Sequence, residues 1–175
     1  MKEDGKAMLA VNYSALRSNM KDYMDQVTED CETLLITRTA DRDNVVALSE
    51  NSYETMRENL YLLQSFGSQQ WLSDSLQQLA QGLSRVQAVP GADRPVIFSE
   101  NAWQDYCAWQ ADDPKLCRRI DTMLAELAAG TTVTGRPRAL QGDLQGCWSR
   151  RITDRDRLIY RTVPEGVQVL ACRFH

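Results

Sequence analysis

The sequence has little of what metal sites and membrane spans require. It contains one histidine, His175, and five cysteines with no CxxC pair, whereas a structural zinc site needs four Cys or His ligands at paired spacings. We therefore expect no metal or other cofactor, and reduced cysteines that are mostly packed. No apolar run approaches the roughly 20 residues of a membrane helix, and the first residues, MKEDGKAML, are too polar for a signal peptide. We expect a cytoplasmic protein with no membrane partner.

Apolar residues make up 43 % of the 175 residues and charged residues 25 %, as in folded globular proteins of one large or two small domains. The charge is unevenly distributed. Residues 1–90 contain 8 Lys and Arg against 13 Asp and Glu, whereas residues 136–161 contain seven arginines against three acids. This asymmetry suggests either that the acidic half masks the arginine cluster or that the cluster binds a polyanion.

Hydrophobic periodicity in the first half predicts the element order β-α-β-β-α-α. The β-rich runs TLLIT (33–37) and NVVALS (44–49) are joined by a polar turn, ADRD, as in a β-hairpin. The last helix of this half is predicted over residues 69–83. The helix before it is predicted to bury Tyr53, Met56, Leu60 and Leu63.

Residues 86–95, VQAVPGADRP, interrupt every periodicity with two prolines and one glycine, which predicts a linker. The predicted domains are therefore 1–85 and 96–175. In the second domain a short strand, two helices and three β segments predict two helices on an antiparallel sheet, so the fold class is mixed α/β (α+β). Four aromatic residues are expected to pack in the core rather than stack on bases: Trp103, Tyr106, Trp109 and Trp148.

Three stretches of the second half, IFSENAWQDYCAWQ, LQGDLQGCWSRRITDRDRLIYR and LACRFH, resemble the YoeB toxins of the RelE/ParE superfamily. The resemblance implies a RelE-like fold and cleavage of messenger RNA on the ribosome. It implies that Arg157 stabilises the scissile phosphate, that Arg151 is a supporting cation and that His175 does acid–base work. These residue types suit the roles, because a guanidinium grips phosphate oxygens and an unperturbed imidazole titrates near neutrality.

The sequence departs from the YoeB pattern at positions that matter for catalysis. Arg138 stands where the family has a glutamate acting as general base, and Gln141 stands where it has a lysine. The tyrosine that follows the histidine in the family has no counterpart. Because an arginine stays protonated at neutral pH, it cannot act as a base. We expect weak or absent endoribonuclease activity, although related RelE toxins work with mostly cationic sites, so whether the chain is an enzyme stays open.

The first half contains VNYSALRSNM, LLITR and ALSENSYETMRENLYLLQS, which resemble the Phd/YefM antitoxins. That resemblance implies dimerisation through the N-terminal region, binding of operator DNA and a C-terminal segment that wraps the toxin. It assigns DNA contacts to Arg17 and Arg38, residues suited to phosphate and base contacts. The alternative is that these arginines pair with nearby acids, namely Asp22, Asp25 or Asp41.

The two resemblances support two hypotheses. The first is a fused type II toxin–antitoxin protein whose antitoxin half neutralises an attenuated mRNA endoribonuclease in cis; its partners are ribosomal mRNA and operator DNA. The second is a DNA-binding autorepressor or decoy antitoxin that carries a catalytically dead toxin fold. A linker of about ten residues fits either cis inhibition or a domain-swapped dimer. The sequence leaves open a plain homodimer and whether the two halves are joined naturally.

Overall fold

The structure is a computed structural model that describes five segments of the chain: 8–29, 33–39, 42–89, 93–130 and 137–175. Cys31, Arg136, the predicted loop at 131–136 and half of the ADRD turn lie outside these segments. Within them, no helix is both long enough and apolar enough to cross a membrane. The chain forms two compact units, residues 1–56 and 57–175.

The N-terminal unit is a three-stranded sheet with two short helices. Its strands are β1 (Leu9–Asn12), β2 (Leu34–Thr37) and β3 (Val45–Ala47), in the order β1-β2-β3, with β1 parallel and β3 antiparallel to β2. Between β1 and β2 the chain forms two helices, α1 (Tyr13–Ser18) and α2 (Met20–Glu29), where one was predicted, whereas the predicted hairpin of β2 and β3 is confirmed. The side chain of Asn12 accepts the Ala15 N–H at 2.8 Å and so caps α1. Their shared core consists of Val11, Leu16, Val27, Leu34 and Ile36.

The predicted buried stripe of the next helix, α3 (Glu50–Leu63), is wrong. The side chains of Tyr53, Met56 and Leu60 are more than half exposed, whereas Leu62 is buried. Residues 57–63 of this helix belong to the C-terminal unit, where Leu62 joins a core cluster. Periodicity identifies an apolar stripe of a helix, but not which stripe its packing partner covers. The side chain of Leu63 lies outside the described part of the chain.

The C-terminal unit is built on a six-stranded sheet in the order β4-β5-β9-β8-β7-β6, in which only β5 and β9 pair in parallel. Its strands are β4 (Ser84–Gln87), β5 (Val96–Ser99), β6 (Arg138–Ala139), β7 (Trp148–Arg151), β8 (Arg157–Val163) and β9 (Gly166–Ala171). Its complete helices are α4 (Phe66–Ala80), α5 (Glu100–Asp112) and α6 (Pro114–Ala128).

The predicted linker begins inside this sheet. β4 is hydrogen-bonded antiparallel to β5, with Val86 opposite Ile97, and Val89 is buried in the core. The two compact units of the structure meet between Met56 and Arg57, and the boundary at residues 86–95 stays a prediction about the two sequence domains. The proline–glycine signal at residues 90–91 lies outside the described segments, and pairing of SRVQ with a strand that follows it is a non-local contact. Local composition cannot reveal that contact.

Helices cover both faces of the sheet. α5 and α6 pack on one face around Phe98, Ile120 and Leu158. On the other face, Leu72 and Leu79 of α4 share a core cluster with Ile159 and Leu170. Because successive strand residues point to opposite faces, Leu158 and Ile159 serve different layers. A sheet with helices on both faces buries the side chains on both sides of each central strand. Successive residues of such a strand are therefore apolar, which explains the run LIY that follows Arg157 in β8.

The aromatic predictions for α5 hold, whereas the one for β7 does not. Tyr106 and Trp109 are buried and Trp103 packs against the same core. Phe98 and Trp103 contact edge to face at 5.6 Å across the start of α5, where Ser99 caps the helix. Trp148 is 41 % exposed, because it lies in the short outer part of the sheet beside the two-residue strand β6.

Candidate functional site

Arg157, the predicted phosphate-binding residue, is buried, and its guanidinium donates hydrogen bonds through Nε and Nη1. It begins β8 and is 5 % exposed. Its Nε donates to Glu58 Oε1 at 2.7 Å, and its Nη1 donates to the backbone carbonyls of Thr153 and Asp154 at 3.1 and 3.3 Å. The guanidinium also lies over the ring of Tyr61, 4.8 Å from its centroid. These contacts hold the guanidinium in one orientation, in which its Nε edge faces the Glu58 carboxylate.

Glu58 also binds Ser149, so its carboxylate bridges two strands of the sheet. The Ser149 hydroxyl donates to Glu58 Oε1 at 2.5 Å, and Ser149 is 2 % exposed. One carboxylate oxygen thus receives a guanidinium and a hydroxyl donor. This donor pair suits any oxyanion, because charge-assisted bonds to carboxylate and to phosphate have the same geometry. Glu58 therefore occupies the Nε edge of Arg157, an edge at which a guanidinium can bind the oxygen of an anion.

His175 is the second predicted site residue, and it is held by two helices, α4 and α5. Its Nε2 lies 2.8 Å from Asp105 Oδ1 of α5, and its ring stacks on Trp71 of α4 with centroids 4.1 Å apart. Its backbone carbonyl accepts bonds from the hydroxyls of Ser65 and Ser68, at 2.5 and 2.6 Å. Ser65 also caps α4, so the start of this helix and the histidine share one set of contacts.

Asp105 is the buried carboxylate that contacts the His175 ring. The carboxylate is 2 % exposed, and its Oδ2 accepts the Cys172 backbone N–H at 2.9 Å. Burial raises the pKa of this carboxyl, whereas the hydrogen bonds from Cys172 and His175 act in the opposite direction. The arrangement ties the middle of α5 to the segment that follows β9.

Arg157 and His175 border the same small cavity, so the structure brings these two predicted residues together. The cavity measures about 10 Å³, which is at the lower limit for a single water molecule. Four of the other residues that line it are Leu62, Ser68, Trp71 and Leu72. All four belong to residues 57–80, which we call the covering segment. A cavity of this volume is too small to hold a nucleotide.

The other two predicted catalytic positions lie outside the cavity wall. Arg151 stands opposite Arg157 in the β7–β8 register, but its side chain is 62 % exposed. Its Nη1 lies 3.9 Å from Asp154 Oδ1. Arg138 is half-buried on the edge strand β6, opposite Ser149. The register therefore places Arg138 one strand from the Ser149–Glu58 contact.

The arginine cluster inferred from the sequence does not form one cationic surface. Arg150 is 3 % exposed and its Nη2 donates to Glu126 of α6 at 2.6 Å, on the opposite face of the sheet from Ser149. Arg161 donates to Gln168 at 2.5 Å. The alternation of strand side chains sends neighbouring arginines to different layers, which a charge count along the sequence cannot show.

Sequence reasoning missed Glu58, Trp71, Asp105 and Ser149. Glu58 and Trp71 lie in the first half of the sequence, whose resemblance implies DNA binding and a segment that wraps the toxin but no particular contact residues for the toxin. Asp105 lies within IFSENAWQDYCAWQ, where a single acid in a helix is usually solvent-exposed. No local signal distinguishes these residues, since their roles come from contacts more than 65 positions apart in sequence.

The N-terminal unit presents the predicted DNA-contacting residues on its surface. Arg17, in the last turn of α1, and Arg38, after β2, are exposed. Neither forms an ion pair with a carboxylate in the described segments, which include Asp22 and Asp25; Asp41 lies outside them. Arg38 and Arg42 line a cleft of about 700 Å³ at the edge of the sheet. Arg42 is a cation of this cleft that the sequence analysis missed.

The described cysteines Cys107, Cys117, Cys147 and Cys172 are free thiols. Burial raises the pKa of Cys117, Cys147 and Cys172, which keeps these thiols protonated and unreactive at neutral pH. Among the residues that the structure describes, no group of three His, Cys, Asp or Glu side chains could hold a metal ion.

Comparison with known proteins finds matches to both halves of the chain. The sequence model for the YoeB-like toxin of bacterial type II toxin–antitoxin systems matches residues 98–175, and that for the Phd_YefM antitoxin matches residues 8–82. The chain is 42 % identical over 83 residues to a Toxin YoeB of Mycobacterium bovis, covering 47 % of this chain and 98 % of that protein. It is 38 % identical over 85 residues to the Toxin YoeB of Escherichia coli K12, covering 46 % and 96 %. A YoeB-YefM complex from Staphylococcus aureus matches with a TM-score of 0.44 and 28 % identity, covering 48 % of this chain and 99 % of that one.

Proposed function

Since the chain belongs to the YoeB-like toxin family through residues 98–175 and joins to that domain a Phd/YefM antitoxin domain over residues 8–82, we propose that it is a self-neutralised toxin–antitoxin protein. In the intact chain the covering segment, residues 57–80, fills the toxin site in cis. The toxin site is an mRNA endoribonuclease site that works on the ribosome. Its activity is attenuated, because Arg138 replaces the glutamate that serves the family as base.

One observation carries this proposal: two side chains of the covering segment bind the two residues to which the catalytic roles are assigned. Glu58 occupies the Nε edge of Arg157, and Trp71 stacks on His175. Cleavage of RNA without a metal requires a cation on the charged phosphorane and an acid for the leaving oxygen. Both groups are present, and both are covered by parts of the same chain.

The attachment of the covering segment supports inhibition that is nearly complete. Ser75 donates to the Leu170 backbone carbonyl at 2.7 Å, and Gln78 exchanges two hydrogen bonds with Asn101 at 2.9 and 3.0 Å. α4 therefore combines an apolar contact face with polar contacts to both β9 and α5. β4 then extends the sheet beside β5, so the chain runs from the covering segment directly into the domain that it covers.

The test is cleavage of mRNA on programmed ribosomes by the full chain and by two variants. The intact chain is expected to be silent. Leu72→Asp, which detaches α4, is expected to raise cleavage about 10²-fold or more, because a closed state favoured by about 4 kcal/mol leaves roughly one chain in 1,000 open. Adding Arg138→Glu is expected to raise it by at least about a further 10²-fold, the usual contribution of a positioned base.

The two variants also separate the alternatives. If the doubly substituted chain, with α4 detached, cleaves no RNA, the toxin fold is catalytically dead and the chain is a decoy or repressor. If the intact chain cleaves as fast as Leu72→Asp, the covering segment does not inhibit.

A second function, binding of operator DNA, is supported by the exposed arginines of the N-terminal unit. We propose that Arg17, Arg38 and Arg42 contact DNA from a dimer of this unit. In a gel-shift titration with duplex DNA from upstream of its own gene, Arg17→Ala/Arg38→Ala is expected to weaken binding at least about tenfold and to flatten the salt dependence. Lys115→Ala, an exposed cation of the other unit, is the control and should bind as the parent does. Equal affinity of both variants would contradict the assignment.

A further inference from the structure

The contact between His175 and Asp105 determines which nitrogen of the histidine is free. Nε2 lies 2.8 Å from Asp105 Oδ1, within hydrogen-bond distance, whereas Nδ1 has no hydrogen-bond partner among the residues that the structure describes. In a neutral imidazole one nitrogen carries the proton and the other carries a lone pair. Which form exists is set by the partner of the bonded nitrogen.

We infer that Asp105 is a positioning residue that holds the proton of His175 on Nε2 and leaves Nδ1 as the nitrogen that exchanges protons with substrate. The inference rests on the proposed endoribonuclease function for its chemical meaning, but the tautomer itself is a property of the intact chain. Asp105 does not itself line the cavity but contacts His175, which does, so it acts through the histidine.

The two oxygens of Asp105 have different partners. Its Oδ2 accepts the Cys172 backbone N–H at 2.9 Å, which leaves Oδ1 as the oxygen that faces Nε2 of His175 at 2.8 Å. The remaining oxygen faces Nε2 in a site from which water is excluded, since Asp105 is 2 % exposed. A carboxylate there stabilises the imidazolium that forms when Nδ1 takes up a proton, as in catalytic triads where an aspartate orients a histidine.

Three contacts to α4 keep the ring in this orientation in the covered state. Trp71 stacks on the imidazole, and the hydroxyls of Ser65 and Ser68 hold the His175 backbone carbonyl. None of these groups bonds a ring nitrogen. The covering segment thus restrains the histidine without changing its tautomer, so the site is already set for acid–base work when the segment leaves.

The experiment is a long-range ¹H–¹⁵N correlation spectrum of the full chain at a pH where His175 is neutral. Because His175 is the single histidine of the sequence, the spectrum contains one imidazole and needs no assignment. The expected result is a protonated Nε2 and an unprotonated Nδ1. An unprotonated Nε2, or an equal mixture of tautomers, would overturn the inference.

Asp105→Asn is the informative variant, because it is nearly isosteric. The asparagine oxygen can accept the Cys172 N–H while its amide donates to Nε2, which drives the imidazole proton to Nδ1. The spectrum is expected to show the reversed tautomer. Asp121→Asn is the matched control: Asp121 accepts a bond from the Tyr106 hydroxyl at 2.6 Å and does not contact His175, so the tautomer should stay as in the parent. An unchanged tautomer in Asp105→Asn would contradict the assignment.

The kinetic arm separates this inference from the proposed function. In the Leu72→Asp chain, adding Asp105→Asn is expected to lower kcat for RNA cleavage at least about 10²-fold with KM unchanged, since the wrong nitrogen carries the proton. Equal kcat values would overturn the positioning role. If the Leu72→Asp parent itself cleaves no RNA, the proposed function fails, and the imidazole spectrum still decides the tautomer.

Discussion

Replacing Glu58 with alanine is expected to lower the free energy of unfolding of the C-terminal unit by about 3 kcal/mol. The substitution leaves the Arg157 guanidinium, 6 % exposed, without the carboxylate that compensates its burial. It also removes the acceptor of the buried Ser149 hydroxyl. The measurement is urea unfolding followed by tryptophan fluorescence. All four tryptophans of the sequence lie in residues 57–175, so the signal reports on this unit alone.

Three further variants test whether the loss comes from an uncompensated charge. Glu58→Gln keeps an acceptor oxygen, so its free energy of unfolding is expected to fall less than that of Glu58→Ala. Glu58→Ala/Arg157→Met removes both charges and is expected to be more stable than Glu58→Ala, because no buried cation remains unpaired. Glu100→Gln breaks the pair with Arg85, whose side chains are 37 % and 55 % exposed, and should cost less than about 1 kcal/mol. A Glu58→Ala chain as stable as Glu100→Gln would show that Glu58 does not bind Arg157.

Leu72→Asp is expected to have the largest effect on the covering segment. Leu72 is 3 % exposed and shares a core cluster with Ile159 and Leu170. An aspartate at this position would bury a charge with no partner, which costs more than the roughly 2 kcal/mol that a leucine gains by burial. We expect α4 to detach from the sheet rather than retain the charge, so that residues 66–80 become sensitive to protease and Trp71 fluorescence shifts to the red.

Gln77→Asp is the matched control for this experiment, because Gln77 is an exposed residue of the same helix. It introduces the same charge on the solvent side and should leave protease resistance and the emission maximum as in the parent. Equal behaviour of the two variants would mean that α4 is not packed on the sheet through Leu72.

The sequence allowed most elements of the fold to be predicted, because their signals are local. Ser99 and Asp113 cap α5 and α6 where a cap followed by an apolar stripe indicated helix starts. The resemblance to the two families pointed to Arg157 and His175, which the structure places on one cavity wall. Local signals therefore suffice for helix starts, whereas the two site residues came from the resemblance and their roles stay predictions.

The remaining features depend on contacts between distant parts of the chain. β4 is a strand only because β5 lies beside it, and the stripe of α3 around Leu62 is buried only by the sheet that it reaches. Arg150 and Ser149 are neighbours in sequence but face Glu126 and Glu58 on opposite sides. Such pairings arise from tertiary packing, so local patterns in a single sequence do not predict them.

In a self-neutralised chain the covering segment lies on the toxin site of its own chain. The direct test is an isotope-filtered NOE experiment on full chain prepared as an equal mixture of ¹³C,¹⁵N-labelled and unlabelled protein, in which the His175 imidazole is observed. With ring centroids 4.1 Å apart, NOEs between Trp71 and His175 are expected within labelled chains and not between labelled and unlabelled ones. NOEs that cross between chains would establish a domain-swapped dimer, and absence of any NOE between these rings would contradict the covered site.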